Sequence, residues 1–547
     1  MIRQHIKGDF FGGLTAAIVA LPLALAFGVA SGAGAIAGLY GAIFTGFFAA
    51  LFGGTSTQIT GPTGPMTVVM ALVITHFSGN LALAFCAVIL AGGFQIVFGL
   101  SGIGRFIKLV PHPVVSGFMS GIGGIIIIIQ IAPLLGHTAP DGSILTKLAA
   151  LPEMFTQPGV HALTLSAITL LIMFATPRRL ATLIPPALIA VLVGTLAGVF
   201  YFSSAPIIGE IPSGFPSLTV PNITLGDLPV IIRFALILAF LGAIDSLLTS
   251  LVADSMTRTH HDSNRELIGQ GIGNVVAGLF GGVAGAGATM RTLVNIRSGG
   301  TTRLAGIFHA IILLLLVLGF SGAASQIPLA VLGGILIKVG VDIIDWSYLK
   351  RMHQAPRAGV IIMLATLLTT IFVDLITAVA VGIVMASLLF VSRMAEAQLK
   401  SAKLADNSDE LPNLSPEEAE ILDKANGQIM LFHMEGPLSF GSARDITKLL
   451  LTSGEKEVLV IDLSDVPFID SSASFALGET IRSLHQQDDL VMIFGARPDV
   501  VDILQSTGTL AHLDSQHIFE HRLEALTKAN ELLAEHYRKT LSSETET

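Results

Sequence analysis

The sequence predicts a polytopic α-helical membrane protein followed by a small soluble α/β domain, and three observations carry that prediction. Of 547 residues, 52% are hydrophobic and only 13% charged, with a mean hydropathy of +0.76, which excludes a soluble globular chain of this length. Apolar segments follow one another from residue 10 to residue 394 with only short polar breaks. Beyond residue 426, strand-like and helix-like stretches alternate over roughly 100 residues, the pattern of a small α/β fold. Glycine is abundant, at 57 residues, and aromatics are scarce, at 7%, which suits closely packed membrane helices rather than a β-barrel. A single cysteine, Cys86, excludes an intramolecular disulfide and reads as a small packing residue.

The first apolar run, within "MIRQHIKGDFFGGLTAAIVALPLALAFGVASG", is too long for a cleaved leader and reads as a first membrane helix that stays. With about 20 residues per span, spans are predicted near 10–29, 34–53, 64–77, 80–101, 113–135, 160–176, 184–202, 229–256, 265–283, 289–298, 304–321, 326–343, 358–374 and 375–394. The third and tenth are too short to cross alone. Fourteen elements put both termini on one side. Positive charge identifies that side as cytoplasmic. Arg105, Lys108, Arg178, Arg179, Arg258, Arg265, Arg297, Arg303, Lys350, Arg351 and Arg357 fall in loops on it. The opposite loops carry Lys147 and little else, and "SSAPIIGEIPSGFPSLTVPNITLGD" has no Lys or Arg.

The two short spans follow irregular backbone. In "TQITGPTGPMTVVM", Pro62 and Pro65 each remove a donor and disfavour helix in the residue before, so a helix starts only near Pro65. In "GAGATMRTLVNIRSGG", Gly285 to Ala288 form flexible backbone and a helix starts near Thr289. Interrupted spans at the third position of each set of seven point to an inverted-repeat transporter with its site at the repeat interface. Each helix N-terminus presents unpaired N–H groups and about half a positive charge. Two of them facing across a gap make an anion site, built here from Thr63 and the backbone of Ala288 and Thr289, with Pro22, Ala24 and Phe27 of the first span as its wall.

Asp245 lies in "IIRFALILAFLGAIDSLLTSLVADSMT", far from either interface, where a carboxylate marks an ion or proton pathway. Thr249 is one turn on and shares its face. With carbonyls near Gly287 and Ala288, and with Thr289, these residues form an oxygen cage of the kind hard cations prefer. A packing carboxylate or a proton site are the alternatives. Asp254 reads as a solvated or packing residue, and Lys338 as a snorkelling or paired lysine. His260 and His261 read as a solvated loop rather than a metal pair. Arg291 places a fixed positive charge behind the anion site; the competing reading has it reach a cytoplasmic carboxylate such as Glu266.

After residue 394, "SAKLADNSDELPNLSPEEAEILDKANG" reads as a polar linker with one short helix. The strands are "QIMLFHMEG", "EVLVIDLSDV" and "LVMIFGA", with helices at "SARDITKLLL", "SSASFALGETIRSLHQ" and "PDVVDILQSTG". The expected organisation is a transport domain over 1–394, a linker over 395–426, a cytosolic domain over 427–536 and a polar tail over 537–547.

The chain resembles the SulP anion transporters, which carry two inverted seven-span repeats and a cytoplasmic STAS domain. The resemblance covers almost the whole chain and rests on "GDFFGGLTAAIVALPLALAFG", "GPTGPMT", "LIGQGIGNVVAGLFGG", "GATMRTLVNIRSGGTTR" and "VLVIDLSDVPFIDSSA". Within the family it is most similar to sodium-dependent bicarbonate transporters of the BicA type, through "IDSLLTSLVADSMTRTHHDSNRELIGQGIGN", "PTGPMTVVM", "GFMSGIG" and "KVGVDIIDW". That resemblance implies sodium as coupling ion, held by Asp245, Thr249, Gly287 and Thr289, with no organic cofactor. It also implies elevator-type movement, a homodimer in the bacterial inner membrane, and regulation through an unidentified partner of the STAS domain. Arg291 is similar to many SulP sequences but departs from the BicA-type pattern, which has glycine there. Ser471 matches the serine phosphorylated in bacterial anti-sigma-factor antagonists; a helix-capping serine explains it equally. A sulfate or dicarboxylate carrier, proton-coupled or exchanging, is the alternative function, and a membrane-anchored STAS signalling protein a remote one. No enzyme and no nucleic-acid partner are expected, because no nucleophile–base pair, phosphate loop or metal cluster stands out.

Overall fold

The computed structural model describes residues 2–107, 110–140, 142–181, 184–209, 218, 224–411, 414–451 and 456–544. Lys108, most of the Lys- and Arg-free loop before residue 224, and the last three residues of the expected tail lie outside them. The chain divides into two compact units, Met1–Ala386 and Ser387–Thr547.

The first unit is helical. Its main helices are α1 (Ile2–Ala30), α2 (Ala35–Phe52), α3 (Gly64–His76), α4 (Leu81–Leu100), α5 (His112–Leu134), α6 (Ile144–Thr156), α7 (Val160–Ala175), α8 (Pro186–Phe200), α9 (Leu228–Thr257), α10 (Ser263–Leu279), α11 (Thr289–Arg297), α12 (Arg303–Ala324), α13 (Leu329–Ile343), α14 (Arg357–Phe372) and α15 (Leu375–Ser401). Six of them are long and apolar enough to cross a membrane on their own, among the described residues. Each apolar run singled out in the sequence is occupied by a helix. One helix was not expected: α6 turns by 110° from α7, is interrupted by Pro152, and buries no residue. Its thirteen residues are too few to cross a bilayer, so hydropathy alone read them as loop.

Small residues set the packing. A Cβ on Gly92 of α4 would lie 2.5 Å from the Gly271 carbonyl of α10, and one on Gly271 2.5 Å from the Gly92 carbonyl. Gly123 of α5 and Gly340 of α13 make the same reciprocal approach, at 2.6 and 2.9 Å. Such contacts bring backbones together where burial of apolar surface supplies no drive between helices. Large side chains such as Leu171, Phe200 and Leu388 face outward, as lipid requires.

The second unit holds a five-stranded sheet of β3 (Lys403–Ala405), β4 (Ile429–Glu435), β5 (Val458–Asp465), β6 (Leu490–Phe494) and β7 (Ile518–Phe519), in that order. The last four run parallel and β3 is antiparallel to β4. Two expectations are corrected here. The supposed linker belongs to the domain: β3 pairs with β4, and α16 (Pro416–Ala425), capped by Ser415 and Glu418, packs Leu422 and Ala425 into its core. The supposed tail is the end of a helix, α20 (Arg522–Glu544), which buries Ala525, Leu526, Ala529 and Leu533 against the same core. The supposed linker buries so few apolar residues that composition reads it as solvated.

The remaining helices are α17 (Phe440–Leu451), α18 (Ser471–His485) and α19 (Pro498–Ser506). Ser471 stands exposed at the first helical position of α18 and is not the cap. Asp470 is: it accepts from Ala473 N at 2.8 Å, and its other oxygen accepts from Phe440 N at 2.8 Å.

On the sheet, His433 Nδ1 and Asp462 Oδ2 are 2.7 Å apart on neighbouring strands. The Asp462 bond raises the His433 pKa above its usual 6.5 against the effect of burial. Burial pushes Asp462 up, but His433 and Ser464 outweigh it and hold the carboxyl low. A raised histidine pKa contributes stability that is complete below the unfolded value and is lost as pH rises through the folded one. Hydrogen exchange across β4 and β5 is therefore expected to show weaker protection at pH 9 than at pH 6, after correction for intrinsic rates. That difference should vanish in His433→Gln, and equal protection in wild type at both pH values would refute it.

Candidate functional site

The two interrupted spans meet. The extended residues before α3, Thr60 and Gly61, form a strand β1 that pairs antiparallel with β2, Ala286 and Gly287, just before α11. Ala288 N donates to Ile59 O at 2.9 Å and closes the ladder. Pairing satisfies backbone groups that a break in a helix leaves open at membrane depth, and it fixes the start of both half-helices.

Thr63 is the N-cap residue of α3, with φ −124° and ψ 164°, and Pro65 follows in the first turn. Ala288 holds the corresponding place before α11, with φ −106° and ψ 105°. Neither side chain caps its helix, so the first-turn N–H groups remain available at both ends. The Thr63 hydroxyl is buried beside the Asp245 carboxyl.

Asp245, Ser246, Thr249 and Ser250 of α9 face the breaks, and all are buried. Thr249 Oγ1 donates to Gly287 O at 3.0 Å and lies 2.8 Å from Thr289 Oγ1. Ser246 Oγ accepts from Gly287 N at 2.9 Å. Asp245 Oδ2 is buried with no hydrogen-bond partner among the described residues. A carboxylate oxygen left alone in this setting costs several kcal/mol, about 1–3 or more by mutational measures, unless a cation or proton joins it.

Arg291 does not reach Glu266. Its Nη2 donates to Pro62 O at 2.5 Å, clamping the second half-helix onto the break of the first, and it lies close enough to Asp245 for the two charges to interact. Its Nη1 has no partner among the described residues. Phe27 lines a narrow, largely apolar crevice with Thr67, Ile126, Gln130 and Leu336, one turn along α3 from Thr63. Pro22 and Ala24 are buried on α1 but do not line that crevice; the Ala24 carbonyl is turned to Gly38 of α2.

Other readings are corrected or filled in. His261 is not solvated: its side chain is 2% exposed and bonds Asp254 at 2.7 Å and Ser263 at 3.0 Å, closing the turn between α9 and α10. His260 is exposed, and no cluster of three or more His, Cys, Asp or Glu able to hold a metal occurs among the described residues. Lys338 pairs with Asp342 and lies over the Phe174 ring at 5.4 Å. Sequence reasoning missed Gln58, Ser246, Ser250, Glu266, Gln270 and Asn274, which hold the breaks from behind. A usable signal was present: Gln270 and Asn274 stand one turn apart in the otherwise apolar part of α10 from residue 267 to residue 279.

The comparisons agree with this architecture. Residues 6–366 match the sulfate permease family, and residues 420–525 match the STAS domain. The chain is 46% identical over 539 residues to the bicarbonate transporter BicA of Picosynechococcus sp., covering 96% of this chain and 95% of that one. It is 51% identical to a solved transmembrane domain of a cyanobacterial bicarbonate transporter BicA, with a TM-score of 0.64 over 68% of this chain and 97% of that chain. The overall structure of SLC26A9, at 19% identity, covers 98% of this chain and 92% of its own with a TM-score of 0.82, a likeness of fold. The chain thus belongs to the sulfate permease family: it is a membrane transporter with a C-terminal STAS domain, not an enzyme.

Proposed function

We propose that this protein is a secondary active carrier that takes up bicarbonate together with sodium across the bacterial plasma membrane. The observation that carries the reading is Asp245, a buried carboxylate with an unpartnered oxygen, beside the oxygens of Thr249, Gly287 and Thr289. These are hard oxygen donors, and the contacts Thr249 makes to Gly287 and Thr289 are ones a bound cation replaces. Sodium there neutralises Asp245 and steadies the β1–β2 pair; the anion then sits before Thr63, Ala288 and Thr289, between the two half-helix ends. Binding is reciprocal, so bicarbonate tightens sodium by the same factor. Arg291 supplies long-range positive potential without touching the anion. That the relatives at 45–46% identity are named bicarbonate transporters, together with the small crevice beside Phe27, supports the choice of anion.

In the same reading α3, α9 and α11 carry the site, elevator-fashion, across a scaffold of α5, α7, α8, α13, α14 and α15. Fourteen spans as two inverted repeats place both termini in the cytoplasm, and the STAS domain serves dimer contact and regulation, with exposed Ser471 as the modifiable position. Arg291, absent from the BicA-type pattern, favours one second reading: a sulfate or dicarboxylate carrier driven by protons.

Labelled bicarbonate uptake into proteoliposomes decides between them. Uptake that rises with an imposed sodium gradient and ignores excess sulfate is the expected result. Sulfate or dicarboxylate uptake driven by a proton gradient, with no response to sodium, would overturn it.

A further inference from the structure

Three carboxylates are buried among the described residues of the first unit: Asp9, Asp245 and Glu266. Asp9 accepts from Thr301 N and Thr302 N at 2.7 and 2.9 Å, and so caps the turn into α12. Glu266 has no such local task. Its Oε2 accepts from Gly54 N at 2.9 Å and Thr55 N at 2.8 Å, and its Oε1 from Gln58 Nε2 and Gln270 Nε2, both at 2.8 Å. Four donors thus converge on one carboxylate, three of them from the segment that leads into the first break.

Gln58 continues the line. Its Oε1 accepts from Ser250 Oγ at 2.9 Å, so both ends of the amide are held. The amide is pressed against Gly287: a Cβ there would lie 2.3 Å from Gln58 Nε2 and 2.7 Å from Gln58 Cδ. The Gly287 carbonyl is the backbone oxygen to which Thr249 donates. A rigid wedge therefore runs from Glu266 through Gln58 to a backbone atom of the candidate cation cage.

We infer that Glu266 and Gln58 are positioning residues that set the sodium affinity of this carrier by fixing the Gly287 carbonyl, an inference that rests on the sodium reading above. Partners behind a metal's direct ligands orient those ligands, and losing one costs about 10–100-fold in affinity. In Glu266→Gln an amide N–H replaces one acceptor and points at existing donors, which tilts Gln58 without removing any ligand of the cage.

The test is sodium half-saturation of bicarbonate uptake by the full-length protein in proteoliposomes. Glu266→Gln is expected to raise it about ten-fold, with the maximal rate at saturating sodium within about a factor of two. Exchanging the pair, Gln58→Glu with Glu266→Gln, keeps the charge and again faces one carboxylate with one amide; it should recover most of the lost affinity. An unchanged half-saturation with a lower maximal rate, or an exchanged pair as weak as the single variant, overturns the inference while leaving sodium coupling intact. Wild-type uptake that ignores sodium instead sinks the sodium reading, and this inference with it. Should Glu266→Gln fail to fold, Ser250→Ala, which removes the Oε1 anchor of Gln58 together with the hydroxyl's contacts to Thr55 Oγ1 and Ser246 O, carries the same expectation.

Discussion

Asp245→Asn is expected to abolish sodium-driven bicarbonate uptake at working sodium concentrations. A charge-assisted contact in a buried site contributes about 1.5–3 kcal/mol, roughly 10- to 150-fold in cation affinity. The amide keeps the shape and one oxygen of the carboxylate, so the loss is one of charge rather than packing. Because Asp245 Oδ2 has no partner, the substitution breaks no hydrogen bond at that atom. It removes a buried carboxylate oxygen that has no hydrogen-bond partner, which favours stability, and it removes the attraction of that carboxylate for buried Arg291, which opposes it. The melting temperature without sodium should therefore change little while transport disappears, unlike a packing defect. Sodium-dependent uptake at the wild-type level in Asp245→Asn would eliminate the cage. A melting temperature that falls together with uptake would instead assign Asp245 to packing.

Gly287→Ala should be as damaging for a different reason. The new methyl meets Gln58 at 2.3 and 2.7 Å and the Ser246 Cα at 3.0 Å. Gln58 cannot swing aside, since Glu266 and Ser250 hold both ends of its amide. Overpacking of this kind costs about 1–3 kcal/mol, and relief by moving the backbone shifts the carbonyl the cage needs. Loss of uptake with a lowered melting temperature is the expectation. Gly93→Ala on α4 is the control, because a Cβ there meets nothing within 4 Å; its uptake should match wild type. Near-normal transport by Gly287→Ala would show that Gly287 O is not a ligand.

Parts of this molecule were legible from local chemistry. Hydropathy located the helices, because each apolar run reports its own transfer into lipid regardless of its neighbours. Proline and glycine located both breaks, since the missing donors of Pro62 and Pro65 act on adjacent residues. Asp245 stood out because a charge in an apolar helix is conspicuous wherever the helix packs. The strands of the C-terminal sheet were read from apolar runs that the structure places at Ile429–Glu435, Val458–Asp465 and Leu490–Phe494.

Tertiary structure decided what depends on partners remote in sequence. Gln58 meets Glu266 across 208 positions, and Arg291 meets Pro62 across 229. No periodicity encodes such a pairing, so Glu266 read as an ordinary cytoplasmic carboxylate, and Arg291 stayed open between a charge behind the anion site and a partner of Glu266. The same holds for His261, buried by a turn, and for the strand Lys403–Ala405, which is strand only because β4 offers it an edge. By itself the sequence determined which apolar segments form helices and where their backbone breaks. The fold alone decided which break faces which, because hydrogen bonds at membrane depth must be met by whatever groups the packing brings within reach.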